Sequence, residues 1–269
     1  MHAPPEAWPV CAPAQPAALE RPGAHGERPT VFDLVRSSGR RYLYLGRPAS
    51  PLDTKANRRL FDERWRGDEA LVFVHFGEPD WEMHRAGPES SGYERALGEA
   101  DEALRAIHAR TGPGTRTVAF GDHGALPVRR RIDVASVLSG LRSRPWREFD
   151  YFLDSTAARF WFASDRARRE VLEALEPCGR WLAEEERARY RVRFGDRRQW
   201  EELLLLEPGD VIEPCFYHST EPVQGMHGYR PEVLENQAAL VVHDPRGTAP
   251  LAEVHDMVDV FGLVRDLLG

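Results

Sequence analysis

Apolar residues fall at helical spacing in some stretches and in short unbroken runs in others, and the two patterns alternate along the chain. VFDLVRSSG (31–39) reads as a short helix ended by Gly39, and RYLYLG (41–46) as the strand after it. ANRRLFDERWRG (56–67) predicts a second helix. LVFVHFGEPD (71–80) is apolar enough for a central strand, ended by Gly77 and Pro79. The longest periodic segment covers 91–110: Tyr93, Leu97, Ala100, Leu104 and Ile107 recur at helical spacing. Ser90 or Ser91 can cap its start, and Gly112 ends it. TVAFGD then predicts a strand, followed by a helix near 132–142. FDYFLDSTAARFWFAS (149–164) reads as a hairpin turning at Asp154–Ser155, and Ser164 caps a helix with Ala167, Val171 and Leu175 on one face. RYRVRFG (189–195), DVIEPCF (210–216) and AALVVHD (238–244) predict strands, and VHDMVDVFGLVRDLLG the closing helix.

Strands alternating with helices predict an α/β fold, a largely parallel mixed sheet sandwiched between helices. Residues 1–30 hold seven prolines and seven alanines with no apolar period, so 1–28 is read as an irregular Pro/Ala-rich arm and 29–269 as the folded domain. No internal repeat or later linker is visible.

Composition narrows the function classes. The chain carries 36 basic and 43 acidic residues, a net charge of −7, which gives no support for a nucleic-acid duplex as partner. Arg129–Arg131 is a local exception, read as a solvated loop, and Glu184–Glu186 as a solvated helix face. Phe160, Trp161 and Phe162 read as core or pocket wall. Cys11, Cys178 and Cys215 are far apart and form no CxxC, which argues against a disulfide framework or a thiolate zinc site and suits a reducing cytoplasm. No apolar run approaches the ~20 residues of a membrane helix, and no signal-peptide pattern is visible. Nucleotide-binding glycine loops and a GxSxG elbow are also absent from the sequence.

Polar residues with chemical potential recur at strand ends, where sites form in open α/β sheets. Asp80 and His84 follow the 71–77 strand, Asp122 and His123 leave the 118–121 strand between glycines, and His227 lies between Gly225 and Gly228. Singly, each has a bland reading: Asp80 as a turn cap, His84 as a surface histidine, Asp122 as an N-cap, His227 as a turn residue. Together, three imidazoles and two carboxylates suit zinc, manganese or iron better than calcium or magnesium.

EPDWEMHRAGPESSGYERALGEADEALRAI, then FGDHG, then GMHGYRPE followed by AALVV, resembles the alkaline phosphatase superfamily, in its type I phosphodiesterase and nucleotide pyrophosphatase branch. The resemblance implies an alkaline-phosphatase-like fold and a metal-dependent phosphoric ester hydrolase acting on a small phosphodiester or nucleotide-like compound. It implies that Asp80, His84 and His227 hold one ion and that Asp122 and His123 help hold a second. The expected cofactor is zinc or manganese, one or two ions, with fewer than two bound. Tyr229, beside His227, would line the substrate site.

Relatives begin with a strand ending in a further aspartate ligand, then place a threonine or serine nucleophile at a helix start. Here the resemblance begins at PTVFDLVRSSGRRYLYLG, so the domain is expected to be N-terminally incomplete. Thr30, Ser37, Ser38, Ser50 and Thr54 are the nearest hydroxyls, and none has the sequence context of that nucleophile. A non-catalytic or partner-completed metal-binding module is therefore the alternative reading. A homo-oligomer or a second polypeptide is expected to cover the strand edge left open. The sulfatase branch is disfavoured because Cys11 is followed by Ala-Pro-Ala-Gln, which does not match its front motif.

Overall fold

Helix caps and short apolar strands punctuate a chain whose computed structural model describes residues 21–23, 26, 28–46, 53–194, 199–216, 221–247, 254 and 256–269. Cys11 and Ser50 lie outside them. In order these residues form α1 (Val31–Ser37), β1 (Arg41–Leu45), α2 (Thr54–Arg64), β2 (Glu69–Val74), α3 (Glu78–Ala86), α4 (Ser91–Thr111) and β3 (Thr117–Phe120). Next come β4 (Leu126–Pro127), β5 (Arg130–Ile132), α5 (Val134–Ser139), β6 (Phe149–Leu153), β7 (Ala157–Phe162) and α6 (Asp165–Leu175). The remainder is β8 (Arg180–Trp181), α7 (Glu184–Arg189), β9 (Glu202–Leu205), β10 (Asp210–Ile212), β11 (Gly225–Met226), β12 (Leu240–His243) and α8 (Met257–Leu268). The described residues fall into two compact units.

The first unit contains Met83–Ser90 and His123–Gln237. Its main sheet runs β6-β7-β9-β8 and is antiparallel throughout. The expected hairpin is β6–β7, with Tyr151 opposite Phe160 and Leu153 opposite Ala158. Alternation along β7 buries Ala158, Phe160 and Phe162 on one face. Ser164 caps α6 by accepting from the Ala167 N–H, and Ala167, Val171 and Leu175 are fully buried, as the spacing predicts. Val134 and Leu138 of α5 join the same core.

Two sequence expectations change in this unit. Arg130 and Arg131 are not in a loop: they belong to β5, which pairs parallel with β10. Their charge is met by carboxylates from the partner side, Arg130 with Asp210 and Arg131 with Glu213 at 2.9 Å. Residues 189–194 form no strand. α7 ends at Arg189, and Arg191 takes a positive φ of 57°. Side-chain pairing overrides the alternating pattern: Glu186 accepts from Arg180 (2.5 and 2.6 Å) and from the Ala183 N–H, so the helix start is fixed. The Arg180 guanidinium is the main cause that holds the Glu186 carboxyl down at about 2.

The second unit contains the described residues up to Glu82, with Ser91–Asp122 and Ala238–Gly269. β1 and β2 pair in parallel, and the His75 N–H extends the ladder to the Leu45 carbonyl at 2.8 Å. Phe32 of α1 packs on Tyr42, Tyr44 and Phe73, and Phe61 of α2 joins Leu45 and Ile107 in a buried cluster. The strand that leads into the Asp122–His123 pair, β3, runs antiparallel to β12. On α4 the buried stripe is Gly92, Ala96, Ala103 and Ile107, and Leu97 is 45% exposed. Ile107 is buried as expected, but the rest of the inward face is made of Gly92, Ala96 and Ala103, each one position before an expected Tyr93, Leu97 or Leu104.

The α/β class expected from the sequence is borne out. Among the described residues, parallel pairing of strands occurs at β1–β2 and β5–β10, beside an isolated parallel bridge between Pro145 and Phe149. No helix of the described residues is long and apolar enough to cross a membrane.

Phe160→Ala should cost about 3–5 kcal/mol, because a fully buried ring leaves a cavity between β7 and α6; denaturant unfolding measures it. The Glu186 contribution is complete above the ordinary glutamate value of 4.5 and is lost as pH falls toward about 2. Thermal melts between those limits should show a decline in the parent that Glu186→Gln flattens.

Candidate metal centre

β2 leaves its ladder at Val74, and α3 starts four residues later with Glu78 and Asp80 in its first turn, where carboxylates suit the helix dipole. Pro79 is tolerated there because first-turn N–H groups have no helical partner. Asp80 and His84 stand four apart and so share one face of α3, while Met83 is buried as its anchor. Burial is the first cause that pushes the Tyr93 phenol upward, and the Asp80 carboxylate is the second.

The histidines of the first unit are placed by backbone contacts. His84 Nδ1 lies 3.0 Å from the Gly225 carbonyl oxygen. A carbonyl only accepts, so Nδ1 carries the proton and Nε2 is the nitrogen that would meet a cation. The Gln224 N–H donates to the His84 carbonyl at 2.8 Å, which stitches the start of β11 to the end of α3. Gly225 has no room for a side chain: a Cβ would sit 2.6 Å from the Met83 carbonyl oxygen and 2.8 Å from its sulfur. β11 then pairs antiparallel with β4, Met226 opposite Leu126. His227 follows the one strand and His123 precedes the other, so the pairing brings both rings to one end.

There the His123 and His227 rings stack, 3.5 Å between centroids and 13° between planes, and His84 lies 5.1 Å from His227. His123 Nδ1 is 2.9 Å from the Gly124 carbonyl, which again directs Nε2 outward. Gly124 itself lies on the backbone of 235–237: an added Cβ would collide with the Glu235 carbonyl and stand 2.7 Å from that of Gln237.

Within the first unit, His84, His123 and His227 thus bring three imidazoles together, a set that could hold a metal ion. The donors fit a borderline cation such as zinc or manganese: three imidazoles, two of them (His84 and His123) with Nδ1 against a carbonyl. The geometry thus groups His123 with His227. His84 stands beside His227, and Asp122 is exposed next to His123.

Tyr229 sits elsewhere. It is 7% exposed, packs with Leu126, Val211 and Met226, and donates its hydroxyl to the Asp210 carbonyl at 3.0 Å. Burial pushes its phenol up to about 12. The early hydroxyls serve helix ends or packing: Thr30 caps α1, Ser37 and Ser38 donate to the Leu34 and Val35 carbonyls, and Thr54 is buried at the first residue of α2. Sequence reasoning missed Asn236, whose side chain bonds the two residues that follow His227. No motif spacing marks it.

Residues 8–230 match the type I phosphodiesterase / nucleotide pyrophosphatase family. The chain belongs to that family, within the alkaline phosphatase superfamily. The match starts earlier than residue 29, where the motifs placed the resemblance. Phosphopentomutases from two Anaeromyxobacter strains are 44% identical over 71 residues, which covers 25% of this chain and only 17% of theirs. An inactive variant of murine ectonucleotide pyrophosphatase / phosphodiesterase 5, in complex with AMP, is similar with a TM-score of 0.58 and 18% identity over 78% of this chain and 62% of its own. Phosphonoacetate hydrolase from Sinorhizobium meliloti 1021, in complex with phosphonoacetate, is similar with a TM-score of 0.63 and 15% identity over 90% of this chain and 74% of its own. At these identities the structures establish the fold.

Gly124→Ala should lower stability by about 1–3 kcal/mol through overpacking against Glu235 and Gln237. Gly114→Ala, where a Cβ meets nothing within 4 Å, should leave the melting temperature unchanged.

Proposed function

We propose that this chain is a metal-dependent phosphoric ester hydrolase acting on a small phosphodiester or nucleotide-like substrate. The observation that carries the reading is the convergence of His84, His123 and His227, from three separate segments, in a member of a phosphodiesterase family. AMP in one similar structure and phosphonoacetate in another are both small phosphorus-containing anions, which supports a substrate of that class. His84, His123 and His227 would hold an ion, and the family resemblance adds Asp80 and Asp122 as carboxylate ligands. A bound zinc or manganese would neutralise charge growing on the phosphoryl oxygens and assist the nucleophile.

The protein's own part is orientation. Carbonyls of Gly225 and Gly124 fix the tautomers of His84 and His123, which leaves Nε2 of each as the nitrogen able to accept a cation. Fixing donors before substrate arrives removes reorganisation from the reaction itself. Cys178 and Cys215 are buried free thiols, which suits a reducing compartment, and we place the protein in the cytoplasm on that ground.

A non-catalytic or partner-completed metal-binding module is the second reading, favoured by one observation: Thr30, Ser37 and Ser38 all spend their hydroxyls on helix ends.

With zinc or manganese added, the purified protein is expected to hydrolyse bis-p-nitrophenyl phosphate, and His227→Ala to fall to the metal-free level. Metal bound stoichiometrically with no turnover would select the second reading. No metal uptake at all would defeat both.

A further inference from the structure

We propose that Asn236 is a positioning residue for the metal centre, a clamp that holds the His227 and His123 loops in register. The chemistry of the inference rests on the hydrolase reading; its geometry rests on hydrogen bonds within the first unit.

Asn236 closes a short 3-10 turn, Leu234–Asn236, and its flanks are open to solvent, Leu234 being 74% exposed. Its own side chain is half-buried and turned inward. Oδ1 accepts from the Gly228 N–H at 2.9 Å and from the Tyr229 N–H at 3.2 Å, and Nδ2 donates to the Tyr229 carbonyl at 3.1 Å. These are the two residues after His227. On its other side the Asn236 carbonyl accepts from the Gly124 N–H at 2.9 Å, and the Glu235 carbonyl accepts from Ala125 at 2.8 Å. Gly124 is the residue after His123. One asparagine therefore contacts the backbone next to both stacked rings.

The need for such a clamp follows from the shortness of the strands. β4 and β11 pair over two residues each, so the ladder alone leaves both loops weakly defined. Asn suits the task because one amide presents an acceptor for two N–H groups and a donor for a carbonyl. Gly228 is tied down independently, since Thr156 Oγ1 donates to its carbonyl at 2.9 Å, and the Tyr229 hydroxyl holds the Asp210 carbonyl. Removing the amide should therefore loosen the histidines without unfolding the unit.

The test compares the full-length parent with Asn236→Ala, Asn236→Asp and His227→Ala, using zinc alone as the ligand in a competition titration with a chromophoric chelator. Amide hydrogen exchange at Gly124, Gly228 and Tyr229 is the second readout. Asn236→Ala should melt close to the parent, bind zinc about tenfold more weakly, the low end for outer-shell partners of metal ligands, and exchange faster at all three amides. Asn236→Asp keeps both acceptor contacts but loses the donor to the Tyr229 carbonyl, so it should bind zinc more tightly than Asn236→Ala and at most as tightly as the parent; it also serves if the alanine variant does not fold. Parental zinc affinity in a folded Asn236→Ala, or unchanged exchange at these amides, overturns the proposal, as does loss of zinc by a folded Asn236→Asp to the His227→Ala level. If the parent takes up no zinc, the hydrolase reading fails, and exchange alone then decides whether Asn236 clamps the loops.

Discussion

Backbone pressed directly on backbone fixes the histidine cluster. At Gly225 the chain passes so close to Met83 that no side chain fits, and at Gly124 it lies on the carbonyls of 235–237. Hydrogen bonds then follow from proximity: His84 to the Gly225 carbonyl, Gln224 to the His84 carbonyl, Gly124 to the Asn236 carbonyl. A side-chain interface could adjust by changing rotamers, but two backbones in contact cannot, so the ring positions are inherited from the fold.

Charge arranges the chemistry around that frame. The chain is acidic overall, with a net charge of −7. Several of its arginines are already committed: Arg130 to Asp210, Arg131 to Glu213, and Arg180 to Glu186. An anionic phosphate ester approaching such a protein needs local positive charge to offset repulsion, and on the proposed function a divalent cation on the imidazoles would supply it compactly. Imidazoles are suited to the role because they bind a cation while adding no negative charge of their own.

Local signals made much of the fold legible. Ser164 and the Ala167–Val171–Leu175 face gave α6 its start and its buried side, and Asp154–Ser155 gave the β6–β7 turn. Misreadings occurred where distant partners decide. The 189–195 run alternates like a strand, yet Arg180 and Glu186 make its beginning a helix end. The basic run at 129–131 is solvent-facing as expected, yet it reads as a loop until β10 is placed beside it. The site was legible as residue types at strand ends. Its grouping was not, because the closeness of His123 to His227 arises from the β4–β11 register, which neither segment encodes alone.

That register also determines where the chain tolerates changes in length. One residue gained or lost between His123 and Leu126 would break the bonds from the Gly124 and Ala125 N–H groups to the Asn236 and Glu235 carbonyls, and with them the placement of the imidazole. With only two residue pairs, the ribbon is too short to absorb such a slip with a bulge. Natural length variation among relatives should therefore gather in exposed turns, such as the one after α7, and leave the few residues between Asp122 and Val128 invariant in number.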